Sequence, residues 1–162
     1  MRNYIWPVFS LILVAGIQGN LPASLTAFGA KPDLILVVLV AYALAGEPEF
    51  GITLGFIAGV IQGCAVGLSL GSFIATRTLT GFLAGLVNTR LFSENPVVPT
   101  VSALWLTFVC EGMFLLANPR SVYAIKTILS ECILNAILAL ILYWIMRGFE
   151  TRRKLSLVNA RF

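Results

Sequence analysis

Apolar residues fall into six runs along the chain, which short polar or turn-forming stretches separate. These runs predict helices over residues 4–17, 34–45, 50–68, 72–92, 97–117 and 123–146. Most of them approach the length of about 20 residues that a helix needs to cross a bilayer. The run 34–45 is short for a span, so the pattern leaves two topologies open, with six spans if that run crosses and five if it does not.

The first run has two interpretations. It follows Arg2, and the sequence Val14-Ala15-Gly16 resembles the cleavage site of a secretory signal peptide. Tyr4 and Trp6, however, lie where aromatic residues mark the membrane interface. We therefore interpret this run as a first spanning helix, and cleavage is the alternative.

Glycine recurs at every fourth position through the third predicted helix and the turn after it: Gly51, Gly55, Gly59, Gly63, Gly67 and Gly71. Each glycine inside a helix costs about 0.5–1 kcal/mol relative to alanine. Residues four apart form one ridge, and small residues there let two membrane helices approach closely. Gly81 and Gly85 repeat the spacing in the fourth helix. We predict that the chain is organised around this row, as a helix-packing or partner groove, and that Gly67, Ser69 and Gly71 also form the turn.

Composition narrows the class of protein. Of 162 residues, 59% are hydrophobic and 11% are charged, whereas charged residues make up about 25% of a soluble domain. This predicts an all-α integral membrane protein, with a bundle of six transmembrane helices over residues 1–146. The three cysteines (Cys64, Cys110 and Cys132) lie in apolar runs, which favours small buried residues over a disulfide framework.

The net charge of +4 comes largely from a basic tail over residues 147–162, which argues against a nucleic-acid partner. In a six-span topology one membrane face carries seven basic residues: Arg2, Arg90, Arg147, Arg152, Arg153, Lys154 and Arg161. The opposite face carries three: Lys31, Arg120 and Lys126. Because basic loops are retained in the cytoplasm, we expect both termini there. The tail is then a topology anchor, or a contact for anionic lipid or a cytoplasmic partner.

Polar side chains also occur inside the predicted spans: Gln62, Arg77, Glu111, Glu131 and Asn135. Such residues normally face the bundle interior and pair with one another. We predict a buried polar cluster in which Arg77 pairs with Glu111, because both lie roughly 9 Å from the same face by the helical rise. The cluster is either a structural pair that fixes helix order, which is the simpler interpretation, or an outward-facing cavity for a ligand or partner.

Signals for catalysis are weak. The chain has no histidine, which removes the commonest general base and transition-metal ligand. The glycine row lacks the lysine and hydroxyl of a P-loop. We expect no enzymatic activity, no catalytic or metal-binding residues and no cofactor.

The segment Lys31-Pro32-Asp33 opens the second helix, where proline suits the first turn and aspartate complements the positive helix end. Gly55-Phe56, Gly59 and residues 67–71 follow in the third helix and its turn. This order of features resembles the family of the rod shape-determining protein MreD. The family commonly has an aspartate four residues after the glycine that matches Gly59, and this chain has Gly63 there.

The resemblance implies a non-enzymatic scaffold of the bacterial cell-elongation machinery in the inner membrane. Such a protein would bind a single-span, MreC-like membrane protein. Through it, the scaffold would be linked to MreB and to peptidoglycan synthases. The family's bundle is similar to the S component of energy-coupling-factor transporters, which supplies the alternative of a vitamin-binding transporter subunit. Its pocket would lie near Arg77, Glu111 and Glu131.

Overall fold

The computed structural model describes residues 4–22, 30–87, 96–118 and 125–159, with side chains as far as residue 145. The described residues form six α-helices: α1 (Ile5–Gly19), α2 (Leu34–Leu44), α3 (Pro48–Val66), α4 (Leu70–Val87), α5 (Val97–Ala117) and α6 (Ile125–Asn159). Each lies where an apolar run predicted a helix. The predicted end of the fourth helix at Phe92 lies outside the described residues.

The short helix α2 is the centre of the bundle. It contacts every other helix, and nine of its 11 residues are buried. A helix that is apolar on all sides has no face to present to water, so it lies either in lipid or inside a protein core. Here the other five helices enclose it. The prediction that the chain is organised around the glycine row is therefore wrong for the bundle as a whole, because α2 holds that position.

Three apolar clusters surround α2, one on each of its sides. Leu39 packs in a cluster that includes residues of α1 and α3. Leu36 packs with residues of α4 and α5, and Val37 packs with residues of α5 and α6. The hydrophobic core thus surrounds one helix. The other five pack against it, and neighbouring helices contact in the order α1, α3, α4, α5 and α6.

Four helical segments are long and apolar enough to cross a membrane: α3, α4, α5 and the first part of α6, Ile125–Ile145. The protein is therefore a helical membrane protein. With 15 and 11 residues, α1 and α2 are shorter. At 1.5 Å per residue α2 is about 16 Å long, roughly half of the ~30 Å hydrocarbon core.

The turn between α3 and α4 uses left-handed backbone. Gly67 has a φ of 73° and Ser69 has a φ of 52°, and Gly67 ends α3 as its C-cap. Glycine is favoured there because it has no Cβ to clash in this conformation. Gly71, which was predicted in the turn, lies instead within α4.

The last helix is longer than the apolar pattern predicts. Helix α6 has 35 residues and continues through most of the basic segment to Asn159. Arginine, lysine and glutamate are good helix formers, so loss of hydrophobicity does not end a helix by itself. The predicted boundary at residue 146 is therefore a change of composition within one helix. The proposed division into a transmembrane domain and a cytoplasmic tail stays a prediction.

Candidate functional site

The predicted glycine row is filled by a helix of the same chain. We call the contact between α3 and α4 the glycine seam, formed by Gly51, Gly55, Gly59, Gly63, Gly81 and Gly85. A Cβ added to Gly51 would lie 2.1 Å from the carbonyl oxygen of Gly81, and one on Gly81 would lie 2.1 Å from that of Gly51. The backbones of α3 and α4 are therefore in direct contact at Gly51 and Gly81.

The seam is tight along its length. A Cβ on Gly55 would lie 2.3 Å from the carbonyl oxygen of Arg77, and one on Gly59 would lie 2.5 Å from the Cα of Ile74. At Gly51 and Gly55 the facing oxygen lies along a glycine Cα–H bond, a geometry that supports weak Cα–H···O contacts. The seam therefore packs two helices of one chain and leaves no room there for a partner helix.

Two glycines of the row lie outside the seam. A Cβ on Gly67 or Gly71 would meet nothing within 4 Å. Gly67 therefore serves the turn, and α4 reaches the row only as far as Gly63, where Leu70 makes the contact. The predicted row of six thus divides into four packing positions and two others.

A polar centre lies where α2 begins. Asp33 is the N-cap of α2, and its Oδ1 accepts a hydrogen bond from the backbone N–H of Leu36 at 3.0 Å. Its Oδ2 forms an ion pair with Arg77 of α4 and accepts a hydrogen bond from Nε2 of Gln62 at 3.1 Å. The residue is 4% exposed. One carboxylate thus caps a helix and joins two others to it.

Arg77 is 2% exposed and is satisfied by groups from three helices. Its Nε donates to Oε1 of Gln62 at 2.6 Å, one Nη donates to Asp33, and the other Nη donates to Sγ of Cys110. A guanidinium carries five N–H donors in a fixed plane, so it can link several neighbours at once. Buried charge of this kind is stable only when paired and hydrogen-bonded.

The predicted pair of Arg77 with Glu111 is wrong, because the ion pair of Arg77 is made with Asp33. The physical reason is geometric. Helix α2 enters the bundle with its capped end at the level of Arg77, so the capping carboxylate is nearer than Glu111. The sequence pattern indicates Asp33 only as a residue of the helix start and contains no sign of its ion pair with Arg77.

Asn135 ties the last helix to the same centre. Its Oδ1 accepts a hydrogen bond from the backbone N–H of Asp33 at 2.8 Å. Its Nδ2 donates to Oγ1 of Thr107 on α5 at 3.2 Å. Helix α1 contributes Gln18, whose Oε1 accepts from the N–H of Ile35 at 3.1 Å. All six helices therefore meet at the start of α2 through polar groups.

Asn135→Ala should lower the free energy of unfolding by about 2 kcal/mol, because it leaves the buried N–H of Asp33 without its acceptor. The measurement is the thermal unfolding midpoint of the purified chain in detergent. Ser130→Ala is the control, since the Ser130 hydroxyl donates to a carbonyl oxygen of its own helix. Equal midpoints for the two variants would show that the hydrogen bond between Asp33 and Asn135 contributes nothing to stability.

A cavity of about 400 Å³ adjoins the polar centre. Its lining includes Asp33, Gln62 and Arg77 of that centre, together with Glu111 and Glu131. Four of the five predicted cluster residues, all except Asn135, thus line one space. Ligand oxygens of Asp33, Glu111 and Glu131 lie within 4.8 Å of one another, a spacing that a metal ion can bridge. Asp33 is already bound to Arg77, whose positive charge disfavours a divalent cation there.

The cysteines differ from one another in burial. Cys110 and Cys132 are buried, whereas Cys64 is exposed, and all three are free thiols. The prediction that all three cysteines are small buried residues is therefore wrong for Cys64. Cys110 takes part in the polar centre through its contact with Arg77, a role that no feature of its sequence context indicates.

The model of the family described as rod shape-determining protein MreD matches residues 1–153 of the chain. The chain belongs to the MreD family. No match was found among curated proteins or among solved structures. Membership implies a role in rod shape determination, in a family of structural membrane proteins that is not known for enzymatic activity. In this MreD-family chain, the polar centre and the glycine seam join the helices in addition to the apolar clusters around α2.

Proposed function

We propose that this chain is a non-enzymatic scaffold of the cell-elongation machinery in the bacterial inner membrane. It binds an MreC-like single-span membrane protein and, through it, supports MreB filaments and peptidoglycan synthesis. The observation that carries the proposal is family membership over residues 1–153. In this proposal all six helices are embedded in the membrane, and both termini are cytoplasmic.

The packing supports a scaffold. Backbone contact in the glycine seam and a polar centre shared by six helices both restrict relative movement of the helices. A partner gains affinity from a surface that is already ordered, because less conformational freedom is lost on binding. The proposed rigidity therefore suits a protein that positions other proteins.

The closed seam also narrows where a partner helix binds. Since α3 and α4 fill the seam with backbone, a partner must contact an outward-facing surface. Large apolar side chains are exposed on α5, including Trp105 and Phe108, and on α6, including Ile133 and Ile137. These two faces are the first surfaces to test.

Co-expression of the tagged chain with a single-span, MreC-like protein should yield both proteins after affinity purification in mild detergent. Alanine substitution of Trp105 and Phe108, or of Ile133 and Ile137, should reduce recovery of the partner for one pair only. The thermal midpoint of the chain should stay unchanged, because these side chains are exposed. An unrelated single-span protein is the control, and failure to recover the partner with well-folded chain would contradict the proposal.

A second candidate function rests on the cavity. A space of about 400 Å³ lies within the size range of small-molecule sites, and its lining includes charged side chains. These features favour a ligand-binding subunit, as in energy-coupling-factor transporters. That function requires a membrane coupling protein and an ATPase pair. Their recovery with the tagged chain, in place of the single-span partner, would favour the transporter.

A further inference from the structure

The cavity contains two carboxylates that are not neutralised by a bonded base. Among the described residues, the carboxylates of Glu111 on α5 and Glu131 on α6 accept no hydrogen bond, and the ion pair of Arg77 goes to Asp33. The two glutamates have ligand oxygens within 4.8 Å of each other. Like charges at this separation repel, and either a proton or a cation between them relieves the repulsion.

Aromatic rings form another wall of the same space. Phe73 and Phe114 both line the cavity, and their ring centroids are 4.9 Å apart. Aromatic side chains beside carboxylates suit a cation with a carbon chain, because the carbon atoms leave water when they pack against the rings. A hydrated metal ion would make no use of these rings.

The basic residues of the cavity limit the choice of cation further. Arg77 lies in the same lining and already binds Asp33. Of the three described carboxylates in the lining, Glu111 and Glu131 are therefore the two without an ion pair. A divalent ion prefers six or more oxygen ligands. An ammonium group has three N–H donors and one positive charge, which matches two carboxylates beside a guanidinium.

We propose that this cavity binds a primary ammonium group, with Glu111 and Glu131 as acceptors and with Phe73 and Phe114 against the adjoining carbon atoms. Either a free amine or the headgroup of an ethanolamine lipid carries this group. Lys31, which lines the cavity and is exposed, is placed to meet the phosphate of such a headgroup. The proposal does not depend on the scaffold function.

The test is thermal unfolding of the purified full-length chain in detergent, with tryptophan fluorescence as the recorded signal. Ethanolamine and hexylamine are the probes, and choline and sodium at equal ionic strength are the controls. At a hundredfold excess over the dissociation constant, a primary amine should raise the midpoint by about 5–11 °C. Glu111→Gln/Glu131→Gln should abolish the shift, whereas Glu49→Gln, at an exposed position, should retain it.

The pattern of midpoint shifts distinguishes the two sources of the ammonium group and can overturn the proposal. A shift with both amines supports a free-amine site. A shift only after reconstitution in nanodiscs with phosphatidylethanolamine, and not with phosphatidylcholine, supports the lipid source. Equal shifts with choline or sodium overturn the proposal, as does a shift with magnesium chloride as an added probe but with no amine. No shift in detergent and none in phosphatidylethanolamine nanodiscs also overturns it. If the double variant does not fold, Glu131→Gln is used, and an unchanged shift in that variant also overturns it.

Discussion

Gly55→Ala should lower the free energy of unfolding by about 3 kcal/mol, the upper end of the range for overpacking a well-packed core. The added Cβ would lie 2.3 Å from the carbonyl oxygen of Arg77 and 2.9 Å from the Cα of Thr78. Both are backbone atoms, so no side-chain rotation relieves the clash and α4 must move. The expected fall in the thermal midpoint is about 6–12 °C for a chain of this size.

Gly71→Ala is the matched control. It makes the same chemical change in the neighbouring helix, at a position where a Cβ meets nothing within 4 Å. Its midpoint should stay within about 2 °C of the parent value, or rise slightly, because alanine is the better helix former. If both substitutions gave the same midpoint, close approach of α3 and α4 would be excluded.

Arg77→Met should lower the free energy of unfolding by about 3–5 kcal/mol, because removal of one partner leaves the buried carboxylate of Asp33 uncompensated. Asp33→Asn should lower the free energy of unfolding by a similar amount, because it leaves the buried guanidinium of Arg77 without a negative charge. Asparagine is also a good N-cap, so this substitution preserves the start of α2. The yield of monodisperse protein and its thermal midpoint are the measurements.

A double-mutant cycle identifies the partner of Arg77. Asp33→Asn/Arg77→Met should be less destabilised than the sum of its single variants, by about 2 kcal/mol. The parallel cycle with Glu111→Gln should show a smaller coupling, because Glu111 makes no ion pair with Arg77. A larger coupling to Glu111 than to Asp33 would contradict the arrangement in the polar centre.

The glycine seam shows how far spacing alone can predict a contact. A recurrence of four residues placed these glycines on one ridge and indicated close approach of a second helix. Gly81 and Gly85 repeat the spacing in the fourth helix, and the structure places them against Gly51 and Pro48 of α3. The pattern contains no information on whether the second helix belongs to the same chain, because a partner's helix needs the same small residues.

For the polar centre, the sequence predicted which residues are buried but not which residues they pair with. Burial of Arg77 and Asn135 followed from their place in apolar runs, because lipid offers no partner for a charge or an amide. The identity of their partners did not follow. Asp33 lies 44 residues from Arg77 and 102 residues from Asn135 along the chain, and no local periodicity relates positions that far apart.

The sequence by itself determined the class of protein, the position of its helices, the close approach of a second helix at the glycine row and the burial of Arg77 and Asn135. Those properties depend on hydrophobicity and on 3.6 residues per turn, which are local. The tertiary structure decided that α2 is enclosed by the other helices, that α4 fills the glycine seam and that Asp33 neutralises Arg77. Each of these depends on how helices cross in three dimensions, and crossing is set by the packing of all six together.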